Sequence, residues 1–150
     1  MQFGDKLKEL RLEKCLSQYQ IANILNIARQ TYNHYEVNEK IIPIKHLVKL
    51  TQFYNVSVDY ILSLTNTKQY ENSQKTIDKT LAGQRLKEFR KEHKLTQVKL
   101  SGILNTTFST IAFYEKGRNL IATPFLYTIC KKYNTSADYL LTIIDNPKNR

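Results

Sequence analysis

The sequence predicts an all-α protein made of two tandem five-helix domains joined by a short linker, and three observations lead there. The first is an internal repeat. Slid against itself by 79 positions without gaps, the chain pairs residues 3–66 with 82–145, and 22 of those 64 pairs are identical. The identities cluster: GDKLKELR lies over GQRLKEFR, ILN over ILN, and YNVSVDYIL over YNTSADYLL. The second is apolar spacing of the helical kind, with no segment that alternates as a strand does. The third is a set of helix start and stop residues at matching places in both copies. The expected boundaries are 1–66 for the first domain, 67–80 for the linker and 81–146 for the second domain.

Each copy follows one plan. Its first helix carries Phe3, Leu7 and Leu10, matched by Ala82, Leu86 and Phe89, at i, i+4, i+7. Ser17 and Thr96 then offer N-cap hydroxyls, and Ser17 with Gln20 forms a capping box. The second helix reads QYQIANIL or QVKLSGIL and stops at Asn26 or Asn105, because Asn tolerates the left-handed conformation of a helix exit. A turn of about three residues leads to the third helix. The fourth carries Leu47, Leu50 and Tyr54, matched by Leu126, Ile129 and Tyr133. The fifth opens at Ser57 or Ser136, with Asp59 or Asp138 in its first turn, where the helix dipole favours negative charge. The intervening TKQYENSQKTIDKT is polar and lacks Gly and Pro, which reads as a linker with room for a helical extension at either end.

The totals narrow the function classes. With 41% hydrophobic and 24% charged residues the 150-residue chain has the composition of a globular protein. A net charge of +10 calls for an anionic partner, nucleic acid or an acidic surface. Cys15 and Cys130 have no CxxC or Cys/His spacing and read as reduced, partly buried thiols. The N-terminus is charged from its fifth residue and no apolar run approaches the roughly 20 residues that span a bilayer, so the expectation is a cytoplasmic protein without membrane contact. His34, His46 and His93 are dispersed, without metal-ligand spacing or a nucleophile motif nearby, and only four glycines are present. Neither an enzyme nor a metal or cofactor site is expected.

Two short helices separated by a three- to four-residue turn, inside a small basic domain, are the layout of a helix-turn-helix. Here SQYQIANILNIARQTYNHYE and TQVKLSGILNTTFSTIAFYEKG resemble the phage repressor/Cro-like, or xenobiotic-response-element, helix-turn-helix domains. VSVDYIL and TSADYLL are similar to the last helix of such lambda-repressor-like domains, and the resemblance covers about 130 of the 150 residues. It implies a double-stranded DNA-binding transcriptional regulator of the repressor kind, with sites at matching positions. Gln18 and Gln97 correspond to a glutamine that binds a DNA phosphate and braces the recognition helix. Arg29, Gln30, Asn33 and His34 fall where the family reads base edges, and Thr107, Phe108, Ser109, Ala112 and Phe113 occupy that region of the second copy. Asn38 and Lys40, with Lys116, Arg118 and Asn119, lie in the loop that touches the phosphate backbone. Arg11 with Glu36, and Arg90 with Glu115, are each 25 residues apart and are implied to form structural ion pairs.

The residue chemistry separates the copies. Arg pairs with guanine O6 and N7, and Gln with adenine N6 and N7, which suits Arg29 and Gln30 to base reading. Residues 1–66 hold 8 Lys and Arg against 6 Asp and Glu, whereas residues 81–150 hold 12 against 5, a net of +7. Phosphate contacts supply affinity and base contacts supply preference. The first copy is therefore expected to specify the site and the second mainly to hold on. Phe108 and Phe113 leave three readings open: their own core, contact with thymine methyls, or a patch for a protein partner. The last would make the chain a protein-interaction module of the antitoxin or antirepressor type. A 14-residue linker reaches at most ~45–50 Å against the ~34 Å between half-sites, so one chain can cover both as an internal pseudo-dimer. The expected operator is then asymmetric, bound by a monomer with pseudo-two-fold symmetry or by a homodimer. Ile61, Leu62 and Leu64, with Leu140, Leu141, Ile143 and Ile144, are candidates for contact between the copies or for packing within each.

Overall fold

A computed structural model describes residues 3–147; residues 1 and 2 of the expected first domain lie outside the described residues. Among those described there are ten helices and no strand. The chain divides into two compact units, Met1–Gln69 and Tyr70–Arg150. The first holds α1 (Gly4–Glu13), α2 (Gln18–Leu25), α3 (Arg29–Glu36), α4 (Ile44–Tyr54) and α5 (Val58–Ile61). The second holds α6 (Lys79–Glu92), α7 (Gln97–Leu104), α8 (Phe108–Glu115), α9 (Thr123–Tyr133) and α10 (Ala137–Leu140).

Local chemistry sets the helix ends. Ser17 accepts from the Gln20 backbone N–H while the Gln20 side chain accepts from the Ser17 N–H, completing the expected box. Thr96, Ser57 and Ser136 each cap their helix through the N–H three residues on. Four helices stop on asparagine in the left-handed region: Asn26, Asn55, Asn105 and Asn134, with φ between 52° and 56°. A short polar side chain bears this conformation at little cost. Cys15 differs from expectation. It is exposed, because it lies past the end of α1 at φ 55°, in the exit turn and off the packed helix face; Cys130 is buried in α9.

Residues 67–80 are tied at both ends. The Lys68 carbonyl accepts from the Ser57 N–H, the Thr67 carbonyl accepts from the Ser57 hydroxyl, and Gln69 donates to the Asn55 carbonyl. Farther on, Gln74 N–H donates to the Ile143 carbonyl and Asp78 N–H to the Thr142 hydroxyl. Asp78 caps α6 by accepting from Leu81 N–H, so this helix starts four residues before the position matching the start of α1.

In the first unit Leu7, Ile21, Tyr32, Leu47, Leu50 and Ile61 are fully buried; in the second Leu100, Ile111, Leu126, Ile129 and Leu141 are. Each of these leucine and isoleucine burials contributes about 1.5–3 kcal/mol. Every apolar residue expected on the first helices is buried except Ala82, which is half-buried. The crossing of the first helix over the third is closest at a glycine. A Cβ on Gly4 would stand 2.7 Å from the Tyr35 carbonyl oxygen and closer still to that of Glu36. One on Gly83 would stand 2.5 Å from the Glu115 carbonyl oxygen. Backbone cannot yield as a flexible side chain can, so both positions require glycine.

Gly4→Ala and Gly83→Ala are each expected to destabilise the chain by about 1–3 kcal/mol through this overpacking. Gly102→Ala in α7, where nothing lies within 4 Å of the new Cβ, is expected to stabilise by about 0.5–1 kcal/mol from helix propensity. Urea unfolding of the three variants checks the contrast.

Candidate nucleic-acid interface

The site grows from one ion pair per unit, buried in the first and half-buried in the second. Arg11 Nε donates to Glu36 Oε1 at 2.6 Å and Nη2 to Oε2 at 3.1 Å, a two-pronged bond joining α1 to the end of α3. The third prong, Nη1, donates to the Leu16 carbonyl at 2.8 Å and fixes the turn into α2. Arg90 repeats this on Glu115 at 2.7 and 3.0 Å and on the Leu95 carbonyl at 3.0 Å. Burial alone would push the Glu36 carboxyl up, but hydrogen bonds from Arg11 and Gln18 outweigh it and hold the group below its ordinary value. The bond to Glu36 in turn raises Arg11. The implied pairs Arg11–Glu36 and Arg90–Glu115 thus both form.

Gln18, at the start of α2, connects this pair to the face of α3. Its Nε2 donates to Glu36 Oε2 at 2.8 Å and to Asn33 Oδ1 at 2.9 Å, and its Oε1 accepts from Arg29 Nη1 at 2.9 Å. One amide therefore fixes two side chains at the expected reading positions. Arg29 and Gln30 are exposed at the first turn of α3; Asn33 and His34 are half-buried one turn on. His34 pairs with Glu39 in the loop after α3. Lys40 is exposed, whereas the Asn38 side chain is engaged elsewhere: its Oδ1 accepts from Gly4 N–H at 2.9 Å, supplying the N-terminal bond α1 lacks from its own cap.

The second unit keeps the frame and changes the face. Gln97 Nε2 donates to Glu115 Oε1 at 3.3 Å, but Phe108 and Ala112 stand where Arg29 and Asn33 do, so the amide has no such side chains to hold. Thr107 caps α8, accepting from Thr110 N–H. Phe108 is 56% exposed and Phe113 40%. That removes the core reading for both and leaves the thymine-methyl and partner readings. His34 and Glu39 are replaced by Phe113 and Arg118, and the guanidinium lies 5.5 Å from the Phe113 ring centre. Ser109, Lys116 and Asn119 are exposed.

A second repeated contact escaped the sequence reading. Lys6 Nζ lies 4.5 Å from the ring centre of Tyr60, and Arg85 lies 4.3 Å from that of Tyr139, the same pair 79 positions on. Arg85 is buried and also donates to the Tyr139 and Ile144 carbonyls and to Asp145. A cation and a tyrosine recurring at the repeat offset were the available signal. Among the described residues no group of three or more His, Cys, Asp or Glu stands together to hold a metal, and no helix is long and apolar enough to cross a membrane.

A helix braced by the one before it, with its first turn exposed and a three-residue turn between, is the geometry of a helix-turn-helix module. Comparison with known proteins agrees. The family described as Helix-turn-helix matches residues 7–61, and that described as Helix-turn-helix domain matches 83–145. The chain is 37% identical over 79 residues to the uncharacterized HTH-type transcriptional regulator YobD of Bacillus subtilis (strain 168), covering 53% of this chain and 70% of that protein. It is 38% identical over 66 residues to the SPbeta prophage-derived uncharacterized HTH-type transcriptional regulator YonR of the same strain, covering 44% and 61%. It is 31% identical over 65 residues to the cryptic phage CTXphi transcriptional repressor RstR of Vibrio cholerae, covering 43% and 59%. The matches thus span about three-fifths to seven-tenths of these relatives. No solved structure matches the chain. The chain belongs to the helix-turn-helix family, which it contains in two tandem copies.

Arg11→Met is expected to lower the stability of the first unit by about 3–5 kcal/mol, since it leaves Glu36 buried and uncompensated. Arg11→Met with Glu36→Leu should recover most of that loss in urea unfolding. Because the folded pKa of Glu36 lies below its unfolded value, its contribution is complete above the ordinary glutamate range and is lost as pH falls through the folded value. Glu36→Gln should flatten that part of the acid limb of a stability–pH profile.

Proposed function

We infer that the chain is a double-stranded DNA-binding transcriptional regulator of the repressor kind, acting in the cytoplasm and doing no catalysis of its own. The observation that carries this reading is the exposed first turn of α3, where Gln18 holds Arg29 beside Gln30. In a helix-turn-helix the N-terminal residues of the second helix contact base edges in the major groove. Arg29 there suits guanine and Gln30 suits adenine. Gln18 engages both amide hydrogens, on Asn33 and Glu36. If it donates to a phosphate on binding, the Asn33 bond is the one to exchange, because Glu36 is committed to Arg11; Asn33 is then released toward the bases.

The two units act as an internal pseudo-dimer on one asymmetric operator. The first supplies hydrogen-bonded base reading, and the second, with a net charge of +7 over residues 81–150, supplies most of the phosphate contact through Lys116 and Arg118. A second reading is supported by the exposure of Phe108, Phe113 and Val98: a module in which the second copy docks a protein partner.

The test starts from duplexes enriched out of random DNA by the intact chain. Arg29→Ala should reduce the preference for the enriched duplex over random DNA by about 1–3 kcal/mol. Lys116→Ala with Arg118→Ala should weaken both kinds of duplex together and flatten the slope of log K against log salt by about 2. Unchanged preference in Arg29→Ala, with loss of a captured protein partner in a Phe108→Ser variant, would favour the second reading.

A further inference from the structure

Phe108 and Phe113 are the first and sixth residues of α8, the places that Arg29 and His34 hold in α3, and both stand in solvent. Each leaves unrealised a burial that ordinarily favours the interior. The frame beneath them is intact, with Arg90, Glu115 and Gln97 bonded as their counterparts are. The face has therefore exchanged hydrogen-bonding groups for apolar ones without losing its support. Its surroundings are cationic: Arg118 lies over the Phe113 ring, Lys116 and Lys99 are exposed, and residues 81–150 carry a net +7. An occupant that complements both features is polyanionic and presents small apolar groups within a few ångströms of its charges. Duplex DNA does so through one group, the C5 methyl of thymine, the apolar feature of the major-groove edge.

We propose that α8 reads thymine methyl groups, with Phe108 and Phe113 as specificity-determining residues for an A·T-rich half-site. The proposal rests on the DNA-binding reading above. Ser109, exposed between them in sequence, carries a hydroxyl that can bond to any base and so adds little discrimination. Arg118 has two roles in this arrangement. Its guanidinium limits the orientation of the Phe113 ring, and its charge lies beside the methyl-reading surface, within reach of a neighbouring phosphate. The two half-sites then differ in chemistry as well as in sequence: one is recognised by hydrogen bonds from α3, the other by apolar contact from α8.

Replacing thymine by deoxyuridine removes the methyl and keeps every hydrogen-bonding group, so it isolates this contact. In a duplex enriched from random DNA by the intact chain, thymines are replaced in one half-site and then in the other. Arg29→Ala identifies which half belongs to α3. In the other half the expected result is affinity about fourfold weaker per contacted methyl, with a much smaller change in the half read by α3. A Phe108→Ser, Phe113→Ser chain should bind thymine and uracil duplexes equally. Both side chains are exposed, so this variant is expected to fold, which thermal unfolding checks. Specific duplex binding that is insensitive to uracil in both halves overturns the proposal and leaves the regulator reading intact. So does sensitivity that persists in the double Phe variant, or loss in that variant of a protein partner with DNA affinity unchanged. Failure of the intact chain to enrich any duplex overturns the regulator reading itself, and the proposal with it.

Discussion

The arginine–glutamate pair, buried in the first unit and repeated half-buried in the second, is the constraint from which the rest of each unit follows. Arg11 has three prongs and uses all of them: two on Glu36 at the end of α3, one on the carbonyl that starts the turn into α2. A single residue of α1 thereby sets where α2 begins and where α3 ends. Two buried charges are costly to desolvate, and an apolar pair of similar size would often be as stable. What an apolar pair would not supply is direction. The Glu36 Oε2 that accepts from Arg11 has a second lone pair, which accepts from Gln18, and through Gln18 the bonding runs outward to Asn33 and Arg29. The ion pair is thus the inner end of a chain of hydrogen bonds whose outer end is the exposed face.

Glycine at the helix crossing belongs to the same geometry. Gly4 and Gly83 let the backbone of the first helix approach the carbonyls that close the third, next to the glutamate that receives the arginine. Frame and face are consequently separable. Arg90, Glu115, Gln97 and Gly83 repeat Arg11, Glu36, Gln18 and Gly4, while Phe108, Ser109, Ala112 and Phe113 repeat none of Arg29, Gln30, Asn33 and His34. The loop follows the face: where His34 meets Glu39, Phe113 meets Arg118, one ring-to-charge contact replacing another of opposite sign.

Much of the fold was legible because its signals are local or repeated. Ser17 with Gln20, Thr96, Ser57 and Ser136 announce helix starts by chemistry that acts within three residues, and the 79-residue offset doubled each reading. The ion pairs were reached only through resemblance, since 25 residues of separation carry no local signal. What stayed hidden depends on packing across the unit. The amide of Asn38 resembles a loop contact in sequence, yet it bonds to the start of α1. Nothing in TLAGQRLKEFR says that Arg85 turns onto Tyr139 and the carbonyls at the end of the unit. Cys15 sits two residues past a helix end that periodicity alone places within a few residues. The exposure of Phe108 and Phe113 was similarly undecidable from a five-residue spacing.

If one frame presents two independent faces, a face can be moved. The most direct measurement is enrichment of random DNA by the intact chain carrying Phe108→Arg, Ser109→Gln, Ala112→Asn and Phe113→His, compared with the unmodified chain. Two like half-sites in place of two unlike ones, both resembling the one read by α3, are the predicted outcome. A folded chain that still enriches the original unlike half-sites would contradict the account, because recognition would then lie outside the third helices.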